Sequence, residues 1–274
     1  MITREEMLGA LGTSATAQVV ERFRGLAFIA PELLQRLADQ ALTEEWGRSN
    51  FALEKYLAVH IPWAIEQGAF STSEDQIFFS AGHLQTRYGT PLYLVFERND
   101  GPFDQLLYCK YAGTNPSAPN FPSPPEIPAV PEINKGSEIV MLHDHILGDN
   151  ADRVPFLRDT PPVAQMCAIS GAIQWSLNSN LEISYYYFGT MSFLAPLYLQ
   201  SRENITEAPD LIAPVQVNRD NLVVRTVLTP HMPYANARVA VERHDKLPAW
   251  MLSAWNAHST ELSDTQVENP EQAQ

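Results

Sequence analysis

Seven prolines fall between residues 113 and 136. Each lacks a backbone N–H and holds φ near −65°, so this stretch enters neither a helix interior nor a central strand. Almost no hydrophobic periodicity runs through it. The expected form is an extended, fairly stiff linker or surface strap. Pro125 and Pro128 are among the pairs that give a Pro-x-x-Pro pattern. So proline-rich a run generates that spacing by chance, and an SH3-like partner is the lesser reading. The regular elements must therefore come from residues 1–112 on one side and 137–257 on the other. No internal sequence repeat relates the two sides.

The first side reads as helices and then strands. Pro31 to Leu42 carries a proline at a helix start and apolar residues at helical spacing. Phe51 to Glu66 repeats that pattern with Leu53, Tyr56, Leu57, Ile61 and Ile65. Pro62 should kink or divide this helix, and Gly68 should end it. Ile77–Phe79, Pro91–Glu97 and Gln105–Cys109 are short, aromatic or β-branched, and bounded by Gly, Asn and Asp. Helices followed by a β-meander resemble a winged helix, a likeness of fold that does not fix function.

On the second side, Ser137–Leu142 reads as a strand and Val163–Leu177 as an apolar helix. Strand candidates follow at Leu181–Phe188, Phe193–Leu199, Leu211–Val217 and Leu222–Leu228, with a turn at Asn218–Asn221. Thr229–Arg238 is a loop or short helix. From His258 to residue 274 the chain is polar and acidic, and a disordered tail is expected. The expected architecture is one α+β domain. Its N-terminal helical part packs with a mixed, largely antiparallel sheet, and residues 137–257 form the C-terminal part of the same domain.

Composition narrows the partners. With 18 basic against 32 acidic residues the net charge is −14, so generic nucleic-acid binding is disfavoured and any such contact must be local. No apolar run is long enough to cross a bilayer, and the start lacks a signal-peptide pattern. Cys109 and Cys167 are too few for a disulfide framework or a cysteine zinc site. They read as reduced, buried thiols of a cytoplasmic protein.

Polar chemistry concentrates in three stretches. The first is His143 to Pro155, with two histidines, three acids, Asn150 and Arg153. If a helix starts near Asp144 as its N-cap, His145, Asp149 and Arg153 share one face. Asp149 then orients the His145 imidazole, and Arg153 pairs with Asp149 or reaches for phosphate. The bland alternative is a capped helix with an intrahelical ion pair. His143-x-His145 with a carboxylate is able to hold zinc or manganese if both lie on a strand. No recognised metal motif supports that, so no metal ligand or cofactor is assigned, and a divalent metal is the weaker alternative. The second stretch joins His231, Tyr234, Asn236 and Arg238, read either as ligand contacts or as a helix start bonding its own backbone. The third, Ser80 to Pro91, is a polar loop without a phosphate-binding glycine motif.

Together these stretches carry a family resemblance. Asp144-His145-Ile146-Leu147-Gly148-Asp149-Asn150-Ala151-Asp152-Arg153-Val154-Pro155 is similar to the Asp-His-Ile-Leu-x-Asp-Asn-x-x-Arg-Phe-Pro pattern of a bacterial family, domain of unknown function 3825. Thr226-Val227-Leu228-Thr229-Pro230-His231-Met232-Pro233-Tyr234-Ala235-Asn236-Ala237-Arg238 is similar to that family's Thr-x-Leu-Thr-Leu-Asp-Met-Ala-Tyr-x-Asn-Ala-Arg. The segment from Ser80 to Thr90, with the strand ending at Asn99, resembles the family's Asn-Thr-Gly-Leu-x-Thr region, so the likeness covers about residues 25–250. Two departures stand out. His231 replaces the family's Asp, and the proline-rich stretch replaces what precedes the central motif. Fusion of some members to small RNA-binding modules implies an RNA or nucleotide connection, although no such module is present here.

The expected function is recognition, extending to cleavage or modification, of a nucleotide or RNA-end phosphate ligand. His145, Asp149 and His231 supply acid–base chemistry, while Asn150, Arg153, Tyr234, Asn236 and Arg238 hold the ligand. Two rivals are a non-catalytic binding or assembly module and a small-molecule biosynthetic enzyme. The latter would use a pocket lined by Tyr185, Tyr186, Tyr187 and Phe188.

Overall fold

The computed structural model describes residues 2–11, 19–101, 104–118, 120–127, 129–187, 190–204 and 207–264, with the backbone alone at 184–187, 190 and 261–264. Two compact units emerge. One takes in the chain up to Ile127, Val241–Lys246 and the last helix from Ser259; the other takes Pro128–Ala240 and Leu247–His258. The division falls inside the proline-rich stretch.

The N-terminal unit is built from α1 (Arg4–Ala10), α2 (Val19–Leu26), β1 (Ala27–Phe28), α3 (Pro31–Gln40), α4 (Phe51–Gln67), β2 (Phe70–Ser73), β3 (Gln76–Gln85), β4 (Pro91–Arg98) and β5 (Leu107–Gly113). Its sheet has the order β1-β5-β4-β3-β2, antiparallel except that β1 runs parallel to β5. A capping box between Thr3 and Glu6 starts α1. Arg4 then donates from Nε to the Ile65 carbonyl (2.9 Å) and from Nη2 to that of Glu66 (2.6 Å). Both carbonyls lie in the last turn of α4, where helical partners run out; that of Ile65 also accepts from the Gly68 N–H (3.1 Å). The helix runs through Pro62 without dividing and ends at Gly68, in the left-handed region at φ 69°.

The middle of α4 is apolar on every side, and it is buried accordingly. Trp46, Tyr56, His60 and Trp63 form a continuous run of ring contacts. Here the expected polar loop from Ser80 is corrected, because its first half is strand. β3 continues to Gln85 with an irregularity between Ser80 and Gln85, and only Thr86–Thr90 forms a turn. At the irregularity Gly82 has φ 70°. A Cβ there would lie 2.1 Å from the Tyr56 hydroxyl, so no other residue fits.

Part of the proline-rich stretch lies along this unit as a strap. The Gln67 side chain donates to the Glu126 carbonyl (3.0 Å) and accepts from the Glu126 N–H (2.9 Å). Phe121 packs on Tyr93 with ring centres 5.1 Å apart. The side chain of Gln67 thereby offers the proline run the pairing of a missing β neighbour.

The second unit contains β6 (Glu138–Met141), α5 (Pro162–Asn178), β7 (Ile183–Tyr187), β8 (Thr190–Leu197), β9 (Leu211–Val217), β10 (Asn221–Val224), α6 (Tyr234–Val239) and the first part of α7 (Ala249–Asp264). The sheet order is β6-β10-β9-β8-β7, antiparallel except for a parallel β6–β10 pair. This is the topology of the first unit over again. In each, a short strand leads through helical turns and a 17-residue helix into a four-strand meander, whose last strand returns beside the first. The chain thus repeats a topology without repeating a sequence.

Ile169, Ile173 and Leu177 of α5 bury against Leu197, Leu211 and Val215 of the sheet, with Ile146 and Val154 joining them. Two expectations are corrected. Cys109 is buried, but Cys167 on α5 is exposed. The stretch from His258 begins as helix, since α7 continues to Asp264. Residues 265–274 lie outside the described residues. No helix among the described residues is long and apolar enough to cross a membrane.

Candidate functional site

The central motif follows β6 in the second unit. Val224 on β10 accepts from the Leu142 N–H (3.1 Å), and the chain then turns. Ile146, fully buried, anchors the turn in the core and leaves His145 and Asp149 outward. The turn is wider than an α-helix. His145–Asp149 is π-helical, closed by the Asn150 N–H on the His145 carbonyl (3.1 Å). Short 3₁₀ turns follow at Ala151–Arg153 and Pro155–Leu157. The expected continuous helix with Asp144 as N-cap does not form, and the Asp144 side chain makes no capping bond.

His145 and Asp149 nonetheless meet. Nδ1 of His145 lies 2.9 Å from Oδ2 of Asp149, with the side chains 48% and 76% exposed. An ionised Asp149 accepts from Nδ1–H, which leaves the Nε2 lone pair facing away from the carboxylate. Nε2 has no partner among the described residues. So exposed a pair contributes little to stability, and an imidazole with one nitrogen oriented and the other open suits proton transfer.

Asn150 and Arg153 have work inside the protein. The Asn150 Nδ2 donates to the His145 carbonyl (2.7 Å) and so locks the turn. Arg153 does not pair with Asp149. Its Nη1 donates to Thr226 Oγ1 (3.0 Å) and to the Val227 carbonyl (2.7 Å). Both acceptors belong to the C-terminal motif, so the two motifs touch directly. Burial pulls the guanidinium pKa below its ordinary value. Nε and Nη2 of Arg153 donate to no described residue.

The remaining motif residues are packed rather than presented. Tyr234, Asn236 and Arg238 on α6 are 2%, 1% and 2% exposed, and each is engaged within the protein. Tyr234 stacks on Trp255 at 5.1 Å and 1° between planes, and His231 stacks on His258 at 3.6 Å and 13°. Thr229 Oγ1 lies 3.3 Å from Nδ1 of His231. Trp255, His258 and Thr226 were not singled out by the sequence. Trp255 and His258 stand three apart on one helix, which is the signal that marks them as a shared face.

His143 and His145 do not lie together on a strand, since β6 ends at Met141. Nε2 of His143 is buried without a hydrogen-bond partner. Among the described residues no group of three or more His, Cys, Asp and Glu converges for a metal ion. The third polar stretch, Ser80 to Pro91, belongs to the N-terminal unit. There His60 Nε2 bonds the Ser80 carbonyl at 3.0 Å, and burial pushes the His60 pKa down to about 4, with the nearby His83 adding to the effect. Phe188 and the side chains of Tyr185, Tyr186 and Tyr187 lie outside the described residues. Compared with known proteins, the chain matches no family model, no curated protein and no solved structure.

Proposed function

We propose that the second unit recognises a phosphoester ligand, a nucleotide or an RNA end, and cleaves or modifies it with His145 as the proton-transferring group. One observation carries the reading: His145 is held through Nδ1 by Asp149 at 2.9 Å while Nε2 stays open. Asp149 sets the tautomer, and the unpartnered Nε and Nη2 of Arg153 supply donors for phosphate oxygens. Asn150 acts as a positioning residue, because it fixes the carbonyl of His145 itself. His231, Tyr234, Asn236 and Arg238 serve as the framework behind the turn. The resemblance to domain of unknown function 3825, with its RNA association, and a cytoplasmic setting with reduced thiols belong to the same proposal.

A second reading has its own support. Asn150 is bonded internally, Arg153 is bonded in part, and Tyr234, Asn236 and Arg238 are buried, as expected of a non-catalytic module whose motif closes its fold. Turnover separates the two. The purified chain is incubated with nucleotides and short 5′- and 3′-phosphorylated RNAs, with and without Mg²⁺. Loss of a general base is expected to slow turnover by about 10²–10⁴-fold in His145→Ala, with unchanged circular dichroism. Turnover that survives His145→Ala, or none on any of these substrates, sinks the catalytic reading.

A further inference from the structure

The second unit also forms a cleft that shares no residue with either motif. It measures about 300 Å³, and its walls include Leu181, Pro196, Tyr198, Arg202, Ala249 and Trp250. That volume lies at the lower end of the range typical of small-molecule sites. The walls are apolar and aromatic apart from Asn180 and one cation, Arg202.

Arg202 is held by rings and by no acid. Its guanidinium carbon lies 4.8 Å from the centre of the Tyr198 ring and 5.6 Å from that of Trp175. The two rings meet edge to face, with centres 6.2 Å apart. Two carboxylates of the same loop, Asp210 and Glu207, are engaged elsewhere. Asp210 accepts from the Leu199 N–H (2.6 Å) and the Gln200 N–H (3.0 Å). Glu207 accepts from Ser201 Oγ (3.1 Å), and its backbone carbonyl takes the Tyr198 hydroxyl (3.1 Å). Among the described residues no carboxylate forms an ion pair with Arg202. Ring contact orients the guanidinium, and beyond a side-chain hydrogen bond with Tyr198 its remaining N–H groups are donors of the kind that match a phosphate or carboxylate. A protein of net charge −14 that keeps an arginine from its many acids has organised a local positive edge on an acidic surface.

The opposite wall agrees in sign. Ala249 and Trp250 form the first turn of the 16-residue α7, where the helix field favours an anion. A second cation sits beside the cleft, since Lys135 Nζ bonds the side chain of Asn180, itself part of the lining. Phosphate alone would leave the half-buried Leu181, Ile183 and Tyr198 against water. A ligand that uses the whole cleft needs a flat apolar portion as well as an anionic end.

We propose that this cleft binds a small phosphate anion carrying a flat ring, of the nucleoside monophosphate class, with the phosphate on Arg202 and the ring against Tyr198 and Leu181. The site stands apart from the acid–base reading and does not depend on it. Isothermal titration of the full chain with AMP, adenosine and inorganic phosphate tests it. AMP is expected to bind one to one with a dissociation constant on the order of 10 µM, as typical affinity per atom gives for a ligand of that size. Adenosine and inorganic phosphate should each bind at least about 10-fold more weakly. Arg202→Ala, at an exposed position that folding tolerates, should lose at least about 10-fold, and Arg202→Lys should recover little of it. His145→Ala should bind AMP as the wild type does, which keeps this result separate from the turnover experiment. AMP binding weaker than ~1 mM, adenosine binding as tightly as AMP, or Arg202→Ala within about twofold of wild type would overturn the assignment.

Discussion

Lowering the pH from 7 towards 4 is expected to destabilise the N-terminal unit through His60. This imidazole is 2% exposed and stacked on Tyr56, and its Nε2 must carry the hydrogen because its partner, the Ser80 carbonyl, only accepts. Burial holds its pKa at about 4 against an ordinary 6.5. The unfolded chain therefore takes up a proton that the folded chain refuses. Stability is complete above pH 6.5 and drains away as the pH falls towards 4. At about 1.4 kcal/mol per pH unit the whole window is worth roughly 3 kcal/mol, of which about 2 kcal/mol has gone by pH 5. Urea unfolding of wild type and His60→Gln across this range isolates the effect, because every other titrating group is common to both. The variant loses a buried contact and starts lower at pH 7, yet its stability should fall less steeply, so that the two curves converge. Parallel curves, or an NMR titration of His60 with a midpoint near 6.5, would refute the reasoning.

Gly82→Ala should be among the most damaging single-methyl additions in the chain. It forces an L-residue to φ 70° and sets its Cβ 2.1 Å from the Tyr56 hydroxyl, together on the order of 3 kcal/mol. Adding Tyr56→Phe removes the oxygen and should restore part of the loss seen in urea, whereas an unchanged midpoint for Gly82→Ala alone contradicts the packing. Thiol titration offers a simpler check. Cys167 is exposed, while Cys109 is buried with its thiol pushed up to about 12, so one thiol should react quickly in the native chain and two in denaturant. Two fast thiols without denaturant would place Cys109 wrongly.

What could be read from the sequence was whatever local chemistry decides. Pro31 at a helix start, Gly68 at a helix end, and the apolar periods of α4 and α5 depend on a few neighbouring residues, and these elements appear where expected. The His145–Asp149 contact was legible for the same reason, being a relation of four residues. The π-helical turn that carries it was not, because its cause lies in the buried Ile146 and in strand pairing to β10, both long-range. Arg153 illustrates the limit more sharply. Its spacing suggested Asp149, but its acceptors are Thr226 and Val227, about 73 residues away along the chain. Arg202 escaped altogether, since nothing in the sequence brings Trp175 and Tyr198 to one guanidinium.

The repeated topology bears on which irregularities matter. In the N-terminal unit the passage from the first strand towards the long helix holds α3, an amphipathic helix that buries Leu34 and Leu37, and then a 3₁₀ turn at Arg48–Asn50 with Ser49 and Asn50 in the left-handed region. In the second unit the corresponding passage holds the π-helical His145–Asp149 turn and two 3₁₀ turns. Both passages join the same strands of the same sheet plan and both contain irregular turns, but the π-helical form is found in the second. A widened turn gives up regular hydrogen bonding, and single π turns recur at functional sites. The exposed His145–Asp149 pair it displays returns little stability in exchange. The π-helical turn at His145–Asp149 is one place where the second unit departs from the first, and the acid–base role proposed for those side chains would account for it.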